Sequence, residues 1–306
     1  MANKNKKTTF LLGAGAGLGL LLSSHLLKEG RNLYALLQEG EESPYLKKNY
    51  PEDYHAISFG SLDPKGIQAK MEEILKESGP VDELILMDGY RMLGALEELS
   101  ELEIGHSLHF NLIAPLYVLK SLLPVFREQK RGRVLALLGQ DALFAEPGHS
   151  LSSGARQGFR GILMSLHEEM LPFGVDVSII AIGELHVHPE PTDTKIASLT
   201  RIYDQGETHA FLAQLKSQRK AGPVDPEKVA KRVVKLLEKD DIPAFLVLGS
   251  QAKQDYYDQN EKTNKSLLQE EGLSSEADLI PSRKKKKSKK NPSENPLFRP
   301  GRRKKD

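Results

Sequence analysis

The feature that most limits the fold is a glycine-rich turn near the start of the chain, Gly13-Ala14-Gly15-Ala16-Gly17-Leu18-Gly19. An apolar run at residues 8–12 precedes it, and a helical pattern over residues 20–29, closed by Gly30, follows it. Glycine tolerates left-handed backbone and lets another group approach the main chain closely. A strand, a glycine turn and a helix in that order present unpaired N–H groups and the positive end of a helix dipole, which together receive a pyrophosphate. Gly13, Gly17 and Gly19 are therefore candidate dinucleotide-binding residues.

The rest of the chain repeats the same alternation. Apolar runs at 32–38, 55–59, 81–87, 133–138, 175–182 and 244–248 predict further strands, and helical spacing predicts helices over 64–78, 152–171 and 226–238, with one long helix or a helix pair over 103–125. Alternating strands and helices imply βαβ units around a parallel sheet, and near-continuous apolar strands imply helices on both faces. Right-handed crossovers then give a doubly wound, Rossmann-like α/β fold in three layers, α/β/α. Residues 186–222 break the rhythm: they are long and polar, with a helix expected over 200–220. Placed after the sixth strand, this stretch is either a lid over the ligand crevice or a surface insertion.

Charge divides the chain. The net charge is +1, but residues 281–306 contain twelve Lys/Arg and two acids, so this tail carries +10 and the remainder −9. Such a segment cannot bury enough apolar surface to offset its ordering entropy, and disorder is expected there. The expected organisation is a basic extension at 1–7, a nucleotide-binding domain at 8–250, a polar linker at 251–280 with a helix around 258–269, and the Lys/Arg-rich tail. There is no cysteine, which excludes disulfides, thiolate catalysis and Cys-based zinc sites. Lys4, Lys6 and Lys7 before the apolar run at 10–22 have the outline of a signal peptide. That run is shorter than a membrane span of ~20 residues, and its spaced glycines suit a turn. The expectation is a soluble chain in the cytoplasm, or in the nucleus if the host has one.

Gly13, Gly17 and Gly19 match the GxxxGxG spacing of the short-chain dehydrogenase/reductase family, and the chain resembles that family from about residue 8 to 249. Leu84-Ile85-Leu86-Met87-Asp88-Gly89 stands where the family has its fourth strand and Asn-Asn-Ala-Gly segment. His109-Phe110-Asn111-Leu112 is similar to the helix that holds its structural asparagine, and Leu122-Leu123-Pro124 with Gly132-Arg133-Val134 to its approach to the fifth strand. The resemblance implies NAD or NADP as cofactor, with Gly89 beside the three turn glycines, and a homo-oligomer formed through the helices at 103–125 and 152–171. Leu37-Gln38 ends the second strand with neither the acid that favours NAD nor the arginine that favours NADP, so no preference is legible.

The family's chemistry uses a tyrosine, a lysine four residues later, a serine and the asparagine. The lysine lowers the tyrosine pKa, since a free phenol near ~10 is a poor base at neutral pH. Gly161, five residues after Arg156, fixes the alignment. It places Ser152 at the tyrosine position, Arg156 at the lysine position and Gly139 at the serine position, and keeps Asn111. No tyrosine occurs between Tyr117 and Tyr203. Asn111, Ser152 and Arg156 are thus catalytic candidates by position, with their chemistry mostly replaced. Gln140, Asp141, His149 and Ser150 are either polar loop residues or, with them, material for a rebuilt site in which His149 and Asp141 form an acid/base pair. Tyr90 and Arg91 either flank a ligand or lie on an exposed loop. His106 and His109 lack a third ligand, and no metal site is expected.

Three functional classes stay open: a non-catalytic relative that binds a dinucleotide as scaffold or sensor, an oxidoreductase with a rebuilt site, and a nucleic-acid-associated protein that works through its tail. The basic clusters at 283–290 and 302–305 suit a polyanion, with nucleic acid favoured over a membrane because no apolar face accompanies them.

Overall fold

Alternate side chains along each strand enter two separate cores, and this fixes the layers. Phe10 of β1 (Thr8–Leu12) packs in one core and its neighbour Leu11 in the other. The computed structural model describes residues 6–59, 63–87, 90–185, 194–217 and 224–269. In chain order, β1 is followed by α1 (Gly17–Lys28), β2 (Asn32–Leu37), α2 (Pro44–Asn49), β3 (Tyr54–Ser58), α3 (Pro64–Ser78), β4 (Glu83–Met87) and β5 (Arg91–Leu93). Then come α4 (Glu101–Leu108), α5 (Ala114–Gln129), β6 (Gly132–Gly139), α6 (Ser150–Met170), β7 (Val175–Ile182) and β8 (Thr194–Ile196). The chain continues through α7 (Glu207–Ser217), α8 (Pro226–Leu237), β9 (Phe245–Leu248) and α9 (Ser250–Gln269).

Seven strands form one parallel sheet in the order β3-β2-β1-β4-β6-β7-β9. Helices α1 and α8 cover one face, where Leu22 and Leu26 meet Val229 and Val233. Helices α3, α5 and α6 cover the other with Met71, Phe126 and Phe159. The strand order reverses between β1 and β4, so a crevice opens beyond their carboxyl ends, where such sheets bind ligands.

Several elements differ from the sequence reading for local physical reasons. Of the long helix or helix pair expected over 103–125, the structure has the pair, α4 and α5, joined by a π-helical turn, His109–Ile113. Pro115 lacks the N–H that would bond the Asn111 carbonyl in a continuous α-helix. Helix α2 is short and starts at Ser43-Pro44, the serine hydroxyl accepting from Leu46 N–H at 3.4 Å. The segment expected as a polar linker after residue 250 begins as helix α9. Ala252 is buried and the Tyr256 ring packs at a tilt against Phe245, with ring centroids 5.7 Å apart. One apolar residue per turn is too thin a pattern to read from sequence. The apolar run at 10–22 is β1, the glycine turn and the first half of α1. The basic tail, the N-terminal extension up to residue 5, and the parts of 186–222 at 186–193 and 218–223 lie outside the described residues.

Candidate active site and cofactor cleft

At the carboxyl end of β1 the chain turns through Gly13 with φ +82° and Gly17 with φ +48°. Both values lie in the left-handed region, which disfavours any residue with a Cβ. Gly13 N–H donates to the Leu36 carbonyl at 3.1 Å, tying the turn to β2. A Cβ on Gly19 would collide with the Gly13 carbonyl, so this glycine lets α1 close onto the turn. Ser23, fully buried, donates to the Gly19 carbonyl at 2.9 Å and holds the first turns of the helix. The N-cap is Ala16, which has no side-chain acceptor for the first N–H groups of α1. The open side of Gly17 and these N–H groups fit a dinucleotide's pyrophosphate. Gly89, and Asp88 before it, lie outside the described residues. Asp63 is the N-cap of α3, accepting from Gly66 N–H at 2.7 Å.

Two of the three residues placed at catalytic positions, Asn111 and Arg156, meet at one carbonyl. Asn111 Nδ2 donates to the Tyr90 carbonyl at 2.7 Å, and Arg156 Nη2 reaches the same carbonyl at 3.3 Å. Arg156 Nη1 is ion-paired with Asp141 Oδ2. Both side chains are almost wholly buried, 4% and 3% exposed. Ser152, in the first turn of α6, is completely buried and donates to the His149 carbonyl at 3.2 Å. Gly139 ends β6 and offers no hydroxyl.

Charge in this centre is largely self-compensated. Burial alone would raise the Asp141 pKa, but the positive charges of Arg156 and Arg91 and the hydrogen bond from Arg156 hold it below the usual carboxylate range. His149 is pushed down to about 4, first by burial and then by Arg91, so at neutral pH it is uncharged. Glu146 is raised, by burial and then by Asp141. Asp141 and His149 thus act on each other electrostatically. The Asp141 carboxylate is committed to Arg156.

Residues 194–217 are fastened to β5, to Glu98 and to the chain before α6. Strand β8 pairs in parallel with β5, placing Arg91 opposite Thr194. The buried Glu98 carboxylate accepts from Thr200 N–H at 2.6 Å and from Ala95 N–H at 3.0 Å, and lies 2.8 Å from His209 Nε2. Burial raises its pKa, yet these bonds bring the net shift below the ordinary value. His209, flanked also by Asp204 at 3.2 Å, is raised despite its desolvation. Leu212 of α7 packs against Gly148, next to the start of α6. Sequence reasoning missed Glu98; its only local signal was a glutamate in the weakly patterned stretch before α4. Of the other residues singled out, Tyr90 and Arg91 are half-buried at the site. The rings of His106 and His109 both stand edge-on to Phe110. Among the described residues no group of three His, Asp or Glu is arranged to hold a metal.

Among the described residues one helical run, Glu101–Gln129, is long and apolar enough to cross a bilayer by length and composition. It is made of α4, the π-helical turn and α5, and Val118, Leu122 and Phe126 along it are fully buried in the core.

The short chain dehydrogenase family matches residues 7–195. Curated relatives are similar over most of the chain. An oxidoreductase, BOA17, of Botryotinia fuckeliana is 23% identical over 80% of this chain and 90% of its own. The human 17-beta-hydroxysteroid dehydrogenase type 1 is 25% identical over 74% and 72%. The bovine 3-ketodihydrosphingosine reductase is 24% identical over 73% and 66%. Among solved structures, a short-chain dehydrogenase from Streptomyces avermitilis superposes with a TM-score of 0.82 at 22% identity, covering 91% of this chain and all of that one.

Proposed function

Since the chain belongs to the short chain dehydrogenase family, whose cofactors are NAD and NADP, we propose that it binds a nicotinamide dinucleotide without reducing carbonyls by the usual phenol relay, and works as a dinucleotide-dependent scaffold or sensor. When bound, the nicotinamide supplies a hydride. A carbonyl accepting it also needs a proton donor at its oxygen. The observation that carries this reading is the state of Ser152 and Arg156. The Ser152 hydroxyl is buried against the His149 carbonyl, and the Arg156 guanidinium is spent on Asp141 and the Tyr90 carbonyl. An aliphatic hydroxyl has no pKa within reach of neutrality, and a planar guanidinium does not replace an ammonium. The glycine turn supports binding on its own, since it requires neither residue.

Calorimetric titration with NADH and NADPH, followed by a screen of NAD(P)H oxidation with ketones, aldehydes and quinones, tests this. Binding is expected, with carbonyl turnover lower by about 10²–10⁴-fold, the usual worth of general acid–base catalysis. Turnover at the level of the family that disappears in Ser152→Ala/Arg156→Ala would overturn the proposal. Turnover that survives in that double variant would instead move the chemistry to a rebuilt site around Asp141 and His149.

The +10 charge packed into residues 281–306 favours a second role, polyanion binding by the tail, with nucleic acid as the ligand. The body's −9 opposes the same ligand. Affinity should be sequence-tolerant, its logarithm falling by roughly 0.7–0.9 per neutralised phosphate for each tenfold rise in salt. The full chain and a truncation after Ile280 are compared on RNA and DNA at two salt concentrations. Equal binding by both, or binding that ignores salt, would remove the tail from the contact.

A further inference from the structure

In a doubly wound fold the adenosine ribose lies between the end of the second strand and the glycine turn, where an acid binds the 2′-hydroxyl. At the strand end itself Leu37 is buried and Gln38 is uncharged. The following residues supply what the strand lacks. Gln38-Glu39-Gly40-Glu41 is a tight turn, with Glu41 N–H donating to the Gln38 carbonyl at 3.3 Å. Its third residue, Gly40, has φ +82°, the left-handed value that one common turn type demands there.

The turn doubles the chain back on itself. The Glu41 carboxylate accepts from Gln38 N–H at 2.9 Å and so sits at the end of β2. From that position it also lies against the glycine turn, because a Cβ on Gly15 would collide with the Glu41 side chain. Gly15 therefore has a different task from Gly13, Gly17 and Gly19: its missing side chain makes room for this carboxylate. The neighbouring acids are directed elsewhere. Glu42 is paired with Lys47 at 2.8 Å, and Glu39 is exposed on the outside of the turn. Ser43, capping α2 through Leu46 N–H, fixes the chain just after Glu41.

We infer that Glu41 selects NAD over NADP: its carboxylate, held between the end of β2 and Gly15, accepts a hydrogen bond from the ribose 2′-hydroxyl and repels a 2′-phosphate. This rests on the reading that the glycine turn binds the dinucleotide, and goes beyond it by naming the residue that chooses between the two.

The test is calorimetric titration of the full chain with NADH and with NADPH, in the parent, in Glu41→Gln, and in Glu42→Gln as a control. The parent should bind NADH at least about tenfold more tightly than NADPH, a difference of about 1.4 kcal/mol. Glu41→Gln keeps the shape and removes the charge. It should tighten NADPH severalfold and weaken NADH, while Glu42→Gln leaves the ratio as in the parent. If Glu41→Gln does not fold, Glu41→Asp, which keeps the charge on a shorter arm, should retain the NADH preference with weaker NADH binding. A parent that binds both equally, or a ratio unchanged in Glu41→Gln, overturns the role of Glu41 while leaving cofactor binding intact. A parent that binds neither overturns both.

Discussion

Replacing Asp141 with alanine is expected to destabilise the protein by about 3–5 kcal/mol, the cost of leaving one partner of a buried ion pair without the other. Arg156 and Asp141 are 4% and 3% exposed, so water cannot take the place of the lost carboxylate. The Tyr90 carbonyl, 3.3 Å from Nη2, remains as a neutral acceptor and sets the lower end of that range. Changing both partners together, Asp141→Leu with Arg156→Met, should cost much less, because it removes the charge as well as its partner. Urea unfolding followed by circular dichroism measures both. A loss under about 1 kcal/mol for Asp141→Ala, the range of an exposed pair, would mean that Arg156 is not held by this bond. Acid should act on the same centre. His149 has its pKa lowered from 6.5 to about 4 in the fold, so the stability gained from keeping it neutral is present above 6.5. That contribution is lost as the pH falls through this window, because the unfolded chain then binds the extra proton.

The second large effect is expected at Gly17. Its φ of +48° strains any β-branched residue, at a cost on the order of 1–3 kcal/mol. Its missing Cβ faces open space, with no protein atom within 4 Å. Gly17→Val would therefore fill the cradle as well as distort it. NADH affinity should fall by roughly a hundredfold, equivalent to about 2.8 kcal/mol. Gly30→Ala is the control. It sits at φ +76° with equal space around it, between α1 and β2, and introduces comparable backbone strain away from the turn. Its dinucleotide affinity should match the parent's at equal folded fraction. Equal losses in the two variants, or none in Gly17→Val, would show that the turn does not hold the pyrophosphate.

Much of the architecture was legible because it depends on local physics. β1, α3 and β7 have the bounds that apolar runs and flanking Gly, Pro and Asp residues indicate. Where local rules conflict, the sequence leaves alternatives. Unbroken apolar spacing over 103–125 allows one long helix or a helix pair, and Pro115, which removes one donor, opens a π-helical turn beside Asn111 that makes it a pair. The short β5 and β8 could not be seen at all. Each has three residues, and they exist as strands because they pair with each other across a hundred residues of chain.

The candidate site divides along the same line. The sequence by itself determined the glycine turn and the stretch without tyrosine between Tyr117 and Tyr203, since residue identities and spacings state these outright. It also determined the separation of a −9 body from a +10 tail. Tertiary structure decided what the remaining polar residues do. Asp141 and Arg156 are fifteen positions apart, and nothing local favours their pairing; burial of both in one low-dielectric centre leaves each the other's best partner. Glu98 and His209 meet across 111 positions for the same reason. Glu41 becomes a candidate cofactor ligand only because Gly40 folds it back and Gly15 leaves it room. Turn and strand chemistry act between neighbours and can be read along the chain, whereas the partner of a buried charge is chosen by whatever the fold brings beside it.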